Sequence, residues 1–301
     1  MHLVAPHLLT DLLAPLLKFG HHPASLKRAN GVILDKLGKP SYDSPASFRI
    51  IVLLQTVSKI LERIMALRLA LQVRRLSLLH WNQCGFLPSV SSFDACLSLV
   101  DTVRTLQRPG LKVSTLFLDI KGGFDNIRAP ALCTSLHKAG VPHYLVSWVQ
   151  LFLSQRSCRL LFQGSPRIFS PVQVGTPQGS PISPLLFVIY VSSLHIDLPK
   201  GVTLSYVDNF SLTAASLSYR TNIRILQRAF GAIRAKALAR NVNFGVPKTE
   251  LMHWRTLKQR NPPTSHAPPI CLDGQIFGPL PCVRWLGYWL AADLSTSHHF
   301  T

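Results

Sequence analysis

The chain has 301 residues, 47% of them hydrophobic, enough for a large core and two subdomains. Its 32 Lys and Arg against 13 Asp and Glu give a formal charge of +19, which predicts a polyanionic partner, most simply nucleic acid, ahead of a generally basic surface or a ribosome-associated role. The 6 cysteines form no Cys-x-x-Cys pair and read as reduced thiols, and no apolar run reaches the ~18–20 residues that span a bilayer.

The N-terminal apolar stretch is interrupted by Asp11, Pro6 and Pro15 and lacks the basic start of a signal peptide. The expectation is an intracellular protein, nuclear or cytoplasmic, neither secreted nor membrane-bound. Residues 1–30 read as helix then loop, and 31–45 as a short strand with a Gly/Pro/Ser turn. Residues 48–76 begin extended and become an amphipathic helix, with Leu61, Ile64, Leu67 and Leu71 at helical spacing. A turn-rich loop (82–92) leads to a helix (93–107) and then to the apolar strand STLFLD, which ends at Asp119. Helices follow at 128–140 and 142–155, a strand pair at 157–175, and a turn (176–184) into the apolar helix LLFVIYVSSLHI. GVTLSYV and FSLTAA flank a short Asp-Asn connection and read as a β-hairpin. A basic amphipathic helix spans 217–240, strands cover 249–254 and 281–290, and NPPTSHAPP (261–269) is a connector. The order is α+β, with mostly hairpin-connected strands and no regular βαβ repetition.

The chemistry centres on two carboxylates. Asp208, at the tip of SYVDNF, is aimed by the hairpin; Asp119 closes the upstream strand. Singly, each is better read as the ordinary Asp of a turn or strand end. Together, on a strongly basic chain, they suit hard cations such as Mg²⁺, and a pair of such ions serves nucleotidyl transfer. Phe124 follows the KGG turn and could stack under an incoming sugar or simply anchor the turn. Asp125 and Asn126 fit the N-cap region of the next helix. In GTPQGSPISP, backbone N–H groups and Gln178 could meet phosphate, nucleotide or template, or merely cap a helix. Lys36, Lys39 and Arg49 could clamp a triphosphate or form a solvated face, and Lys248 is equally ambiguous.

In this order and spacing, FLDIKGGFD, GTPQGSPISPLLF and SYVDNF resemble motifs A, B and C of reverse transcriptases. FGVPKTELMHW resembles motif D and VRWLGYWL motif E. GKPSYDSPASFRIIVLLQTVSKILERI and NQCGFLPSVSSFDA resemble the family's fingers segments. The details are similar to non-LTR (LINE-type) retrotransposon enzymes of a fungal lineage.

The resemblance implies a right-hand polymerase fold: an antiparallel palm sheet backed by helices, with N-terminal fingers. On that reading residues 1–110 are fingers, with 1–30 a helical extension; 111–260 are palm; and 261–301 hold the motif E hairpin and the start of a largely missing thumb. It implies two Mg²⁺ ions, with Mn²⁺ as a substitute, on Asp119, Asp208 and the Ile120 carbonyl. It makes Phe124 the steric gate, Gln178 and Gly179 nucleotide contacts, Lys36 and Arg49 triphosphate grips, and Lys248 a proton donor to pyrophosphate. The implied partners are an RNA template, a DNA primer and deoxynucleoside triphosphates, with endonuclease and thumb regions elsewhere in a larger polyprotein.

Three residues depart from the pattern, and the first, Ile51, stands where Pro is usual. Asn209 stands where motif C has a second Asp; the change suits a turn but removes a charge beside the metals, for a loss on the order of 10²-fold in rate. Leu87 stands where Arg is usual. The leading expectation is an RNA-directed DNA polymerase domain impaired by Asn209. The alternative is a catalytically inactive nucleic-acid-binding remnant, and an intron maturase ranks below both because it needs a longer thumb.

Overall fold

Helical and alternating apolar spacing become, in a computed structural model, the following elements: α1 (Pro6–Phe19), β1 (Arg28–Asp35), β2 (Phe48–Leu53), α2 (Thr56–Arg75), α3 (Ser92–Gln107), β3 (Lys112–Lys121), α4 (Ala129–Lys138), α5 (His143–Leu153), β4 (Arg156–Phe162), β5 (Ser165–Pro166), β6 (Ser170–Val172), α6 (Ser183–Ser192), β7 (Gly201–Tyr206), β8 (Asn209–Ser216), α7 (Tyr219–Ala239), β9 (Asn243–Phe244), β10 (Glu250–Trp254), β11 (Ile270–Leu272), β12 (Gln275–Phe277), β13 (Cys282–Trp285) and β14 (Tyr288–Ala291). The structure describes residues 6–38, 41–86, 90–162, 165–166, 168–198, 201–255 and 267–295. Leu87, Lys39 and most of the 261–269 connector lie outside them. Among the described residues no helix is long and apolar enough to cross a membrane. The chain divides into two units, one of residues 1–78 and 124–190, the other of 79–123 and 191–301.

In the first unit the sheet order is β2-β1-β4-β5, with β6 also on β4. β1 pairs antiparallel with β2 but parallel with β4, Arg28 opposite Ser157. A parallel pair needs a long crossover, so local alternation carries no sign of it. The helix expected within 48–76 forms as α2, but its buried stripe runs through Ser58, Leu61, Glu62, Met65, Leu69 and Val73. Leu67 and Leu71, placed on the apolar face by spacing alone, are 54% and 65% exposed. Two polar residues, Ser58 and Glu62, occupy the inward face instead, and their reason lies in the site below. On α5, Trp148 stacks on Phe152 at 5.0 Å, and His22 meets both rings edge-on at 5.3 and 5.4 Å.

The second unit is built on an antiparallel sheet, β10-β3-β8-β7, with β9 on the end of β3. β3 is buried on both faces because helices cover both. Ala95, Leu99 and Val103 of α3 pack with Val113 and Phe117 of β3, Ala215 and Trp254. α3 starts on a capping box in which Ser91 and Asp94 satisfy each other's backbone N–H. α7 covers the other face: Asn222 Nδ2 donates to Lys112 O at 2.9 Å and to Ser114 Oγ at 3.1 Å. Side chains alternate along β3, so Ser114 shares a face with α7 while Val113, Phe117 and Asp119 point the opposite way. Residues 281–290, read as one strand, fold back at Leu286-Gly287 as the hairpin β13–β14. A second hairpin, β11–β12, turns at Asp273-Gly274, a dipeptide that strongly favours such turns.

Candidate active site

In the second unit the β3–β8 ladder ends with Asp119 opposite Asn209. Opposed residues of an antiparallel pair hold their Cβ atoms within about 5.5 Å. The β7–β8 connection is Val207-Asp208, because Tyr206 pairs with Asn209. This corrects the Asp-Asn turn expected from sequence: Asn209 is the first residue of β8. The positive φ falls on Val207, at 60°, and on neither Asp208 nor Asn209. A single positive φ at the first turn position is the type II′ pattern, where glycine is usual. A β-branched side chain there costs of order 1–3 kcal/mol.

The backbone locks the two carboxylate-bearing segments together. Ile120 N–H donates to Asp208 O at 3.0 Å, and Gly245 N–H donates to Asp119 O at 2.8 Å. A strand residue's N–H and C=O share one edge, so the Ile120 carbonyl faces the Asp208 side. Lys248, in the turn before β10, places Nζ 2.7 Å from Asp119 Oδ2. Asn209 Nδ2 donates to Asp208 Oδ1 at 3.0 Å. Burial pushes the Asp208 carboxyl above the ordinary range, the Asp119 charge pushes it further, and Lys248 and Asn209 pull it back in part. A cavity of about 420 Å³ adjoins, lined by Asp119, Asn209, Lys248, Glu250, Arg284 and Trp285 among others.

Sequence reasoning assigned no role to the residues that brace this tip. The segment from Asn82 runs beside β7, with Ser205 N–H donating to Asn82 O at 3.0 Å and Cys84 N–H to Ser205 O at 2.8 Å. Gln83 is fully buried and accepts from Ser205 Oγ, which also bonds His195 Nε2 at 2.7 Å. His80 stacks on His195 with ring centroids 4.3 Å apart. Gly85 abuts Val207 so closely that a Cβ would sit 2.6 Å from its backbone N. The only signal for these residues was Gln-x-Gly spacing in a loop.

The remaining predicted residues belong to the first unit. Lys36 follows β1, and its charge offsets the upward push of burial on Asp125. Asp125 and Asn126 form a 3-10 turn with Phe124 rather than a helix cap: the N-cap of α4 is Arg128, which makes no side-chain cap. Phe124 packs on Phe187 at 5.2 Å, and its carbonyl accepts from Thr176 N–H at 2.7 Å. Arg49 is exposed on β2 opposite Leu34. Gln178 O accepts from Val52 N–H at 2.8 Å. Gly179 has φ 133°, and a Cβ there would lie 2.5 Å from Val52 O, so glycine is required. Ser180 Oγ donates to Glu62, whose other oxygen accepts from Ser58 Oγ at 2.5 Å. This explains the polar stripe of α2: a buried carboxyl, its pKa raised by burial, ties the helix to the turn that carries Gln178. Gln178 lines a cavity of about 410 Å³ with Asp125, Val52 and Arg156 among others.

The donor set at the β3–β8 end fits a hard cation. Two carboxylates and a carbonyl provide oxygen ligands without sulfur or imidazole. Asp119 and Asp208 also bring two like charges close together, and Lys248 pairs with the first of them.

Residues 37–290 match the family described as reverse transcriptase (RNA-dependent DNA polymerase). Similar curated proteins include the probable RNA-directed DNA polymerase from transposon BS of Drosophila melanogaster, 27% identical over 294 residues, covering 94% of this chain and 32% of that protein. The RNA-directed DNA polymerase from mobile element jockey of Drosophila melanogaster is 25% identical over 295 residues, covering 95% of this chain and 31% of its own length. The chain thus spans about a third of the length of these curated relatives. Among solved structures, apo telomerase from Candida tropicalis superposes with a TM-score of 0.62 at 12% identity, over 97% of this chain and 54% of that one. Telomerase from Candida tropicalis in complex with the TWJ fragment of telomeric RNA gives 0.60 at 12% identity, over 90% of this chain and 45% of that one. That likeness shows a right-hand polymerase fold of α+β type.

Proposed function

Because the chain belongs to the reverse transcriptase (RNA-dependent DNA polymerase) family, we propose that it extends a DNA primer along an RNA template from deoxynucleoside triphosphates. The observation that carries this reading is the locked end of β3 and β8, with Asp119 opposite Asn209 and Asp208 beside it. Asp119, Asp208 and the Ile120 carbonyl would hold two Mg²⁺ ions, or Mn²⁺ in their place. Such ions supply charge stabilisation and alignment for in-line phosphoryl transfer.

The chain's own residues position and neutralise. The primer 3′-hydroxyl gives up its proton to water as its oxygen bonds the α-phosphorus, and the α–β bridging oxygen leaves with pyrophosphate. Lys248 donates the proton that pyrophosphate takes up. Lys36 and Arg49 grip the triphosphate, Phe124 excludes a 2′-hydroxyl, and Gln178 with Gly179 contacts the nucleotide. We assign residues 1–110 to fingers, 111–260 to palm, and 261–301 to motif E and the start of a thumb. We place the protein inside the cell, nuclear or cytoplasmic, as one segment of a larger polyprotein that supplies endonuclease and thumb. The fungal lineage is proposed on the wording of the motifs, and comparing them with fungal and insect elements tests it.

Asn209 sets the level of activity. Its amide occupies Asp208 Oδ1, and it faces Asp119 without a charge. A rate lowered on the order of 10²-fold follows from removing one such stabiliser. An inactive remnant is not favoured, because the chain matches the reverse transcriptase family over residues 37–290 and resembles RNA-directed DNA polymerases along nearly its whole length. Primer extension on an RNA template tests the reading: Asp119→Ala and Asp208→Ala should each abolish Mg²⁺-dependent extension. Extension that persists in Asp119→Ala would overturn the site assignment.

A further inference from the structure

α7 has 21 residues, including Arg220, Arg224, Arg228, Arg234 and Lys236, and none is acidic. Its inward stripe, with Ile223, Leu226, Phe230 and Ile233 among others, is buried. Arg220, Arg224 and Arg228 lie on the outward side and are exposed. Four-residue steps set them in one row about 12 Å long. Beyond Arg228 the row continues over Gly231 and Ala235, both exposed, and the Cβ position of Gly231 opens into free space. Absent side chains there let a partner's backbone come close.

No ion pair among the described residues involves the three arginines, whereas Arg234 is paired with Asp273 at 3.1 Å. A helix face that only needs solvent would alternate Glu with Arg at this spacing. Like charges at i and i+4 instead destabilise the helix by about 0.2–0.5 kcal/mol per pair. The row carries two such pairs, Arg220–Arg224 and Arg224–Arg228, and a polyanion relieves both. Arg guanidinium also matches phosphate oxygens in a bidentate way. α7 shares its sheet face with Ser114, so the row lies on the face opposite Asp119.

We propose that the outer face of α7 is a second nucleic-acid contact: a sequence-independent phosphate track formed by Arg220, Arg224 and Arg228, separate from the carboxylate site. It stands whether or not the chain polymerises, since it rests on charge and spacing alone. The test uses the full chain and a blunt DNA duplex of about 30 base pairs, with binding followed by anisotropy between about 50 and 200 mM salt. R220Q/R224Q/R228Q should make the slope of log K against log salt shallower by about 3, since each phosphate contact contributes about 0.9. R220K/R224K/R228K should keep the slope. R74Q/R75Q/R108Q, which removes the same charge elsewhere, should change it by about 1 or less. A wild-type slope in the α7 glutamine variant overturns the proposal. So does an equal loss in the R74Q/R75Q/R108Q control, which would show a general effect of net charge.

Discussion

Among the described residues of the second unit, three two-residue hairpins solve one geometric problem differently. At Asp273-Gly274 the φ values are 50° and 79°, and at Leu286-Gly287 they are 53° and 90°, both with glycine in the second position. At Val207-Asp208 no glycine is present, and the β-branched Val207 alone takes a positive φ of 60°. The first two turns place glycine, which carries no Cβ penalty, at one of their two positive-φ positions. The third is held by its surroundings: Gly85 against Val207, the Asn82–Cys84 segment along β7, and the Gln83–Ser205–His195 chain beneath. Strain persists where neighbouring structure over-determines it, and here it falls in the turn that carries Asp208.

The comparison breaks most sharply at Gly85. Gly85→Ala places a Cβ 2.6 Å from both Val207 N and Val207 Cγ2. The backbone must shift, and a loss of about 3 kcal/mol is expected in denaturant unfolding. Adding Val207→Gly removes the Cγ2 overlap and should recover part of that loss; no recovery would show that the tip is not what Gly85 accommodates.

The brace beneath the tip is next, and it is sensitive to acid. Burial, with His80 and Lys236 nearby, lowers the His195 pKa from 6.5 to about 3. The unfolded chain therefore takes up a proton near the ordinary value while the folded chain does not. Stability should fall as pH drops below about 6.5, by about 2 kcal/mol at pH 5 from this one group. The stability gap between the wild type and His195→Gln should narrow over that range. A constant gap would show that His195 is not buried in its neutral form.

The smallest effect is expected at the strained residue itself. Val207→Gly removes the strain but adds chain entropy to the unfolded state, so stability should rise by about 1 kcal/mol or less. Cation affinity should fall in the same variant, because the turn no longer fixes Asp208. A variant less stable than the wild type would mean that Val207 contributes packing that outweighs its φ.

These turns also mark what the sequence could reveal. β3, the basic helix and the two carboxylates were legible because each has a local signature: alternation, 3.6-residue spacing, or Asp beside an apolar run. The Asp-Asn turn was misplaced because composition favours those residues at positive φ, while the register of β7 on β8 puts Val207 there. Asp273-Gly274 carried a local signal that was passed over, between the connector at 261–269 and the strand expected at 281–290. Glu62 was invisible as a site residue because its partner Ser180 is remote in sequence, and a helix that buries a carboxyl looks amphipathic with the wrong stripe. The parallel β1–β4 pair has no local sign at all.

The central claim is that Asp119 and Asp208 form one cation site weakened by Asn209. Mn²⁺ binding followed by electron paramagnetic resonance tests it in the wild type, Asn209→Asp and Asp119→Ala. The account predicts affinity raised by about tenfold or more in Asn209→Asp, as a third carboxylate joins the site, and lost in Asp119→Ala. Wild-type affinity in Asp119→Ala, or no gain in Asn209→Asp, would contradict it.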